Sequence, residues 1–162
     1  MPARSTLLRS ALLVLAVALG VARPADAQVR EGLRELKAAG SLTVFEGDAT
    51  LFVDGTLGFF LTDRVEVGPL VGVTSDFDNF TAIGLGGFVD YHLGRPGATT
   101  VPFVGAQVVL GLADADGFSI GGQGGLKYFV APGAAVTPSA FLRVDDDSNL
   151  VFGAQFGVSL FF

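Results

Sequence analysis

The chain contains no cysteine and no tryptophan, and only one histidine and one methionine among 162 residues. Without cysteine there can be no disulfide framework, no thiolate nucleophile and no cysteine-ligated metal. Positive charge is scarce: 10 Lys and Arg stand against 16 Asp and Glu, a net charge of −6. An acidic chain of this kind offers no electrostatic footprint for nucleic acid. Beyond residue 28 there is no apolar run of about 18 residues, so no membrane-spanning helix is expected there. Yet half of the chain is hydrophobic and the mean hydropathy is +0.57. Glycine (23) and phenylalanine (15) recur along the whole sequence rather than in one biased tail.

The N-terminus has the layout of an export signal. Arg4 and Arg9 precede the short apolar stretch SALLVLAVALGVA, and Ala25-Asp26-Ala27 supplies small residues at a cleavage site. Residues 1–27 are read as a cleaved signal peptide, with Gln28 opening the mature chain. Seven bases against fifteen acids then remain, a net charge of −8. Residues 28–40 follow as a leader. Val29, Leu33 and Leu36 have helical spacing, Glu31 and Glu35 lie near Arg34 and Lys37, and Gly40 closes the stretch. A short helix or an unstructured leader is expected there.

From Ser41 onward the hydrophobic period is two and stays two. Turn compositions divide residues 41–162 into about eight segments: 41–46, 49–62, 65–75, 80–93, 100–113, 118–131, 134–145 and 150–162. The separators, such as Asp76-Phe77-Asp78-Asn79, Gly94-Arg95-Pro96-Gly97 and Pro132-Gly133, combine residues that supply positive φ, fixed φ and local hydrogen bonds. Connections this short join antiparallel neighbours, because parallel crossovers need a dozen or more residues. Sorting by parity gives two faces. One carries Leu51, Val53, Leu57, Val71, Val73, Leu85, Val104, Val108, Ile120 and Leu142. The other carries Gly, Ser and Thr, interspersed rings and almost every strand charge: Asp54, Glu66, Asp90, His92, Lys127 and Arg143.

Parity alone does not say which face meets water. A soluble periplasmic ligand-binding barrel would turn the apolar face inward, whereas a barrel in a membrane does the reverse. Three features favour the membrane. The polar face is rich in small residues, as a narrow lumen requires. Rings gather near the segment ends: Phe59, Phe60, Tyr91, Phe103, Tyr128, Phe129, Phe161 and Phe162 at one, Phe45, Phe52, Phe80, Phe118 and Phe152 at the other. Girdles of this kind suit the two membrane interfaces. An even strand count also closes the sheet without an exposed edge.

The stretches GFFLTDRVEVGPLVGV, GLGGFVDYHLG, PFVGAQVVLGL, GGLKYFVAPGAAV and the ending FGVSLFF together resemble the small outer-membrane β-barrel family that includes the OmpA transmembrane domain and OmpX. The resemblance covers about residues 41–162 and rests on the combination, not on one motif. It implies an all-β fold: an eight-stranded antiparallel up-and-down transmembrane β-barrel in the cell outer membrane. It also implies that Phe162, with Phe156, Val158 and Leu160, is the assembly signal read by the barrel-insertion machinery. Expected partners are outer-membrane lipid, lipopolysaccharide, that machinery and periplasmic chaperones. A monomer is expected, without a cofactor, a metal or a following peptidoglycan-binding domain.

Candidate chemistry lies on the lumen parity. Enclosed ions must pair or be hydrated, so Lys127 is expected to pair with Asp90 or Glu66, and Arg143 with Asp54. Such a network could gate a small pore, or simply fill the barrel, since about eight strands leave room for little beyond their own side chains. His92 would be the base of any hydrolytic site, with Asp90 to orient it. It lies at the expected periplasmic end of its strand, however, and no serine sits on a nucleophile turn, so an enzyme is not expected. The outward loops carry Glu46, Asp48, Asp76, Asp78, Asp114, Asp116, Asp145, Asp146 and Asp147 without a base. That pattern admits either divalent cations bridging to lipopolysaccharide or plain solvated turns. GLGGF and GGQGGLK are not phosphate loops, because Tyr128 follows Lys127 and no helix comes after. The expected role is a structural one in the envelope, with binding or weak small-solute permeation as secondary capacities.

Overall fold

The computed structural model describes residues 29–45, 48–75, 80–95, 97–112 and 117–162, and for residues 43–45, 48, 49, 80 and 81 the backbone alone. The expected signal peptide and most of the acidic outer-loop residues lie outside the described residues. Eight strands follow one another: β1 (Arg34–Phe45), β2 (Asp48–Phe60), β3 (Val65–Ser75), β4 (Phe80–His92), β5 (Thr100–Leu112), β6 (Phe118–Ala131), β7 (Ala134–Asp145) and β8 (Leu150–Phe161). Each pairs antiparallel with the next, and β1 pairs with β8, so the sheet closes into a barrel.

The leader expected at 28–40 needs correction. Residues 34–40 are not helical but form the first half of β1. Helical spacing of Val29, Leu33 and Leu36 concealed a second pattern of period two: Glu35, Lys37, Ala39 and Ser41 face the lumen, Leu36 and Leu42 the outside. Pairing decides between the two. A short lone helix has little to stabilise it. As a strand the same segment bonds to β2 on one side (Leu36 opposite Leu57) and to β8 on the other (Leu36 opposite Leu160). Without it β2 and β8 would each leave an unpaired edge.

The barrel is inverted relative to a soluble protein. Its largest fully buried side chains are Phe103, Lys127, His92, Glu35, Glu66, Thr137, Asp90 and Ser159, only one of them apolar. Outside stand Val53, Val71, Leu85, Val104, Ile120 and Leu142, the last 48% exposed. The small apolar cluster that does exist closes one end. Val29 and Leu33 reach under the barrel to meet Phe60, Val101, Ala135 and Phe161, with Phe129 and Ala98 against them. Gly32, at φ 81°, makes the turn that brings Leu33 there, and Phe60 N donates to Leu33 O at 2.9 Å.

Two seams interrupt the hydrogen-bond ladder. Between β2 and β3 pairing passes from Thr56–Leu70 directly to Phe59–Val67, skipping Leu57, Gly58, Gly68 and Pro69. Between β6 and β7 it passes from Gly125–Ser139 to Tyr128–Val136, skipping Leu126, Lys127, Thr137 and Pro138. Each seam contains a proline, which has no N–H to give, and four strands separate one seam from the other. Alternate N–H groups point to opposite neighbours, so in amide hydrogen exchange the fastest sites within the strands are expected at Leu57 and Leu126, whose N–H groups face Pro69 and Pro138 across the seams. Protection there equal to that of Asp54 and Gly122 would show the seams to be fully bonded.

Candidate functional site

The lumen divides into a sealed lower part, near the termini, and an open upper part. Lys127 anchors the lower part. It projects inward from β6 with no exposed surface, and its ammonium donates to Glu35 Oε2 on β1 and, at 2.9 Å, to Glu66 Oε2 on β3. Three rings surround the same nitrogen, those of Phe60, Phe103 and Phe161, at 5.4–5.6 Å from their centroids. Two carboxylates and three π faces thus replace the water that a buried ammonium would otherwise need. His92 Nε2 lies 3.5 Å from Glu66 Oε2, with its ring between Phe60 and Phe103 at centroid distances of 5.0 and 5.9 Å.

Glycines let the charges fit. A Cβ at Gly58 would collide with the Glu66 carboxylate, and one at Gly105 with the Asp90 carboxylate. In so narrow a barrel each large inward group needs a neighbour without a side chain. This explains the Gly-rich parity better than any turn requirement does.

Above this level Lys37 points inward from β1, its ammonium 5.5 Å from the Phe88 ring and 5.7 Å from that of Phe103. Asp90 accepts from Gln123 Nε2 at 2.6 Å. Higher still, Arg143 Nη2 stands 3.6 Å from Asp54 Oδ2, and the guanidinium lies 4.8 Å over the Phe141 ring. With its amide oxygen turned to the guanidinium, Gln107 accepts from Arg143 Nε at 2.7 Å and Nη2 at 3.1 Å.

The sequence-derived residues Asp54, Glu66, Asp90, His92, Lys127 and Arg143 all line this lumen, in two groups rather than one network. Glu66, His92 and Lys127 meet in the lower group and Asp54 and Arg143 in the upper, while Asp90 contacts Gln123 instead of Lys127. Sequence reasoning missed Glu35 and Lys37, because both fell inside the supposed leader. Their alternation with Leu36 and Ala38 was the signal that could have found them. Part of the aromatic girdle also needs correction. Phe60, Phe103 and Phe161 are buried in the lumen and Phe52 and Phe141 meet there at 6.5 Å, which leaves Phe59, Tyr91, Tyr128 and Phe162 facing out at the lower rim. Parity already puts these rings on the charge-bearing face, at odds with a place in the girdle; that they pack against the cations is what parity does not announce. Neither ring nitrogen of His92 has a hydrogen-bond partner among the described residues, so no hydroxyl is placed for it to activate.

At the C-terminus, Phe156 (58% exposed), Val158 and Phe162 face outward with Leu160 on the same parity. Arg34 and Phe162 exchange two backbone hydrogen bonds of 3.0 Å, which fastens the chain end to β1.

No protein-family model matches the chain, and neither does any curated protein sequence. Solved structures do. The crystal structure of the N-terminal β-barrel domain of Pseudomonas aeruginosa OprF superimposes with a TM-score of 0.63 at 21% identity, over 82% of this chain and 98% of that one. Neisserial surface protein A gives 0.57 at 14% identity, over 79% and 94%. A de novo designed transmembrane β-barrel gives 0.60 at 15%, over 83% and 99%. The chain therefore has the eight-stranded barrel fold of these proteins.

The lower ion cluster makes a direct prediction. Lys127→Met keeps much of the side-chain volume but strands Glu35 and Glu66. Unfolding of the refolded barrel by urea should show a loss of about 3–5 kcal/mol. Adding Glu35→Gln and Glu66→Gln should restore most of it. A single-variant loss below about 1 kcal/mol would mean that the lysine does not hold the cluster.

Proposed function

We propose that this protein is an integral outer-membrane β-barrel with a structural role in the envelope and a lumen closed to ions. The observation that carries this reading is the inverted side-chain distribution: a band of aliphatic residues outside, and charged and polar side chains enclosed inside. In water the exposed aliphatic surface would be costly at roughly 25 cal/mol per Å², whereas in hydrocarbon it is the favourable surface. A soluble periplasmic barrel requires the opposite distribution.

Closure follows from the lower plug. Lys127 with its two carboxylates, three phenylalanine rings and the Val29–Leu33 segment leaves no through-passage for a hydrated ion at that level. The ion pairs act as filling rather than as a working gate. No catalytic role is assigned, since His92 is wedged between rings. Phe162 with Phe156, Val158 and Leu160 offers the terminal aromatic pattern that the barrel-insertion machinery would read. Export by a cleaved signal and passage on periplasmic chaperones belong to the same reading, as does a monomer resting among lipid and lipopolysaccharide.

Membrane fractionation and planar-bilayer recording test it. The protein should stay with the outer-membrane fraction through carbonate and high salt, and come out only in detergent. Its gel mobility should change on boiling, and no stepwise conductance should appear. Release by carbonate would support the soluble alternative, and sustained conductance steps would show an open pore.

A further inference from the structure

The upper lumen is not filled. A cavity of about 320 Å³ opens there toward the β7–β8 turn, and its shape has a definite cause. Gly72, Gly84 and Gly111 stand opposite one another in register across β3, β4 and β5, and Gly111 N donates to Gly117 O at the start of β6. Four consecutive positions around the wall thus carry no side chain. Leu70 and Val109 border this bare wall, and Phe52 and Val151 complete the lining.

The next residue in the same row is Asp54, paired with Gly72. Its side chain lines the cavity yet is only 9% exposed. The partner of its carboxylate is Arg143. Its ionic contact, Arg143 Nη2 at 3.6 Å, lies beyond ordinary hydrogen-bond length. Arg143 is held also by Gln107 and Phe141. The Asp54 carboxylate, with Arg143 on one side, therefore faces a half-apolar cavity with acceptor positions to spare.

The mouth adds charge of the same sign. Asp145, Asp146 and Asp147 line it, so four carboxylates face one guanidinium. Asp145 is occupied by Asn149, whose N and Nδ2 donate at 2.7 and 3.0 Å. Asp146 turns inward over Gly117, where a Cβ would meet its two oxygens at 2.6 and 2.7 Å.

We propose that this upper cavity binds a small aliphatic ammonium ion, its charge on Asp54 and its carbon body against the glycine wall of β3–β5. A primary ammonium brings three donors to a carboxylate whose contact with Arg143 is long. A short alkyl chain suits walls made of Leu70, Val109, Phe52 and bare backbone. The acidic mouth attracts cations and rejects carboxylates. A divalent metal would need six or more oxygens, which the apolar wall does not provide. The pocket belongs to the barrel whatever surrounds it, so the proposal stands apart from the membrane assignment.

The test uses the full chain refolded in detergent, titrated with n-butylammonium and followed by the amide signals of Gly72, Gly84 and Gly111. Saturable shifts with a Kd of about millimolar are expected for so small a ligand. Asp54→Asn, nearly isosteric, should weaken binding at least about tenfold, the equivalent of losing one charge-assisted hydrogen bond. Val109→Phe, which fills the cavity from β5, should abolish it. Butanoate and calcium should leave these signals unmoved. The proposal is overturned if butylammonium gives no saturable shift, if butanoate or calcium reproduces its shifts, or if both variants, folded by their amide spectra, bind as the wild type does.

Discussion

Closure of β1 onto β8 is the constraint on which the rest of this structure depends. An open sheet would leave two rows of backbone donors and acceptors unpaired, tolerable in water but costing several kcal/mol per group in hydrocarbon. Residues 34–40 complete the ring, and the paired termini of Arg34 and Phe162 fasten it. Once the ring is closed each strand has an inside and an outside, and alternation assigns every side chain to one of them. The aliphatic outer surface and the polar interior are therefore two consequences of one geometric fact.

An eight-stranded ring is narrow, and narrowness explains the interior. A lysine or glutamate that turns inward displaces its neighbours, so glycines stand beside the charged groups and rings fill what remains. At the lower end the filling is complete. Lys127 ties β1, β3 and β6 together through Glu35 and Glu66 at the level where the β2–β3 and β6–β7 ladders lapse. The ion pairs and the ladders are thus complementary: where backbone bonding is interrupted, side chains cross the lumen. At the upper end the glycine row leaves space instead of filling it, and Asp54 is left facing that space.

Much of this could be read in the sequence, for identifiable reasons. Period-two alternation from Ser41 onward puts Val71 and Gly72 on opposite faces without reference to any structure, the scarcity of charge and wealth of small residues beside Gly72 argue that its face is the inner one, and turn residues divide β3 to β8 almost where they end. Asp54, Glu66, Asp90, His92, Lys127 and Arg143 fall on the lumen parity by the same rule. What stayed hidden depended on partners distant in sequence. Glu35 and Lys37 look like helix-surface charges until β8 is known to lie beside them. Phe60 and Phe103 look like interface anchors until Lys127 is seen between them. The choice of Gln123 rather than Lys127 for Asp90 depends on strand stagger around the ring, which a linear pattern does not encode.

The central claim is that aliphatic side chains face hydrocarbon and their strand neighbours face an enclosed interior. Spin labels at positions 71 and 72, introduced as Val71→Cys and Gly72→Cys in the barrel reconstituted into lipid vesicles, measure this most directly. The account predicts that the label at 71 is relaxed strongly by oxygen, which concentrates in lipid, and weakly by a water-soluble nickel chelate, while the label at 72 loses the oxygen effect. A label at 71 relaxed by the chelate, with 72 the more accessible to oxygen, would contradict it.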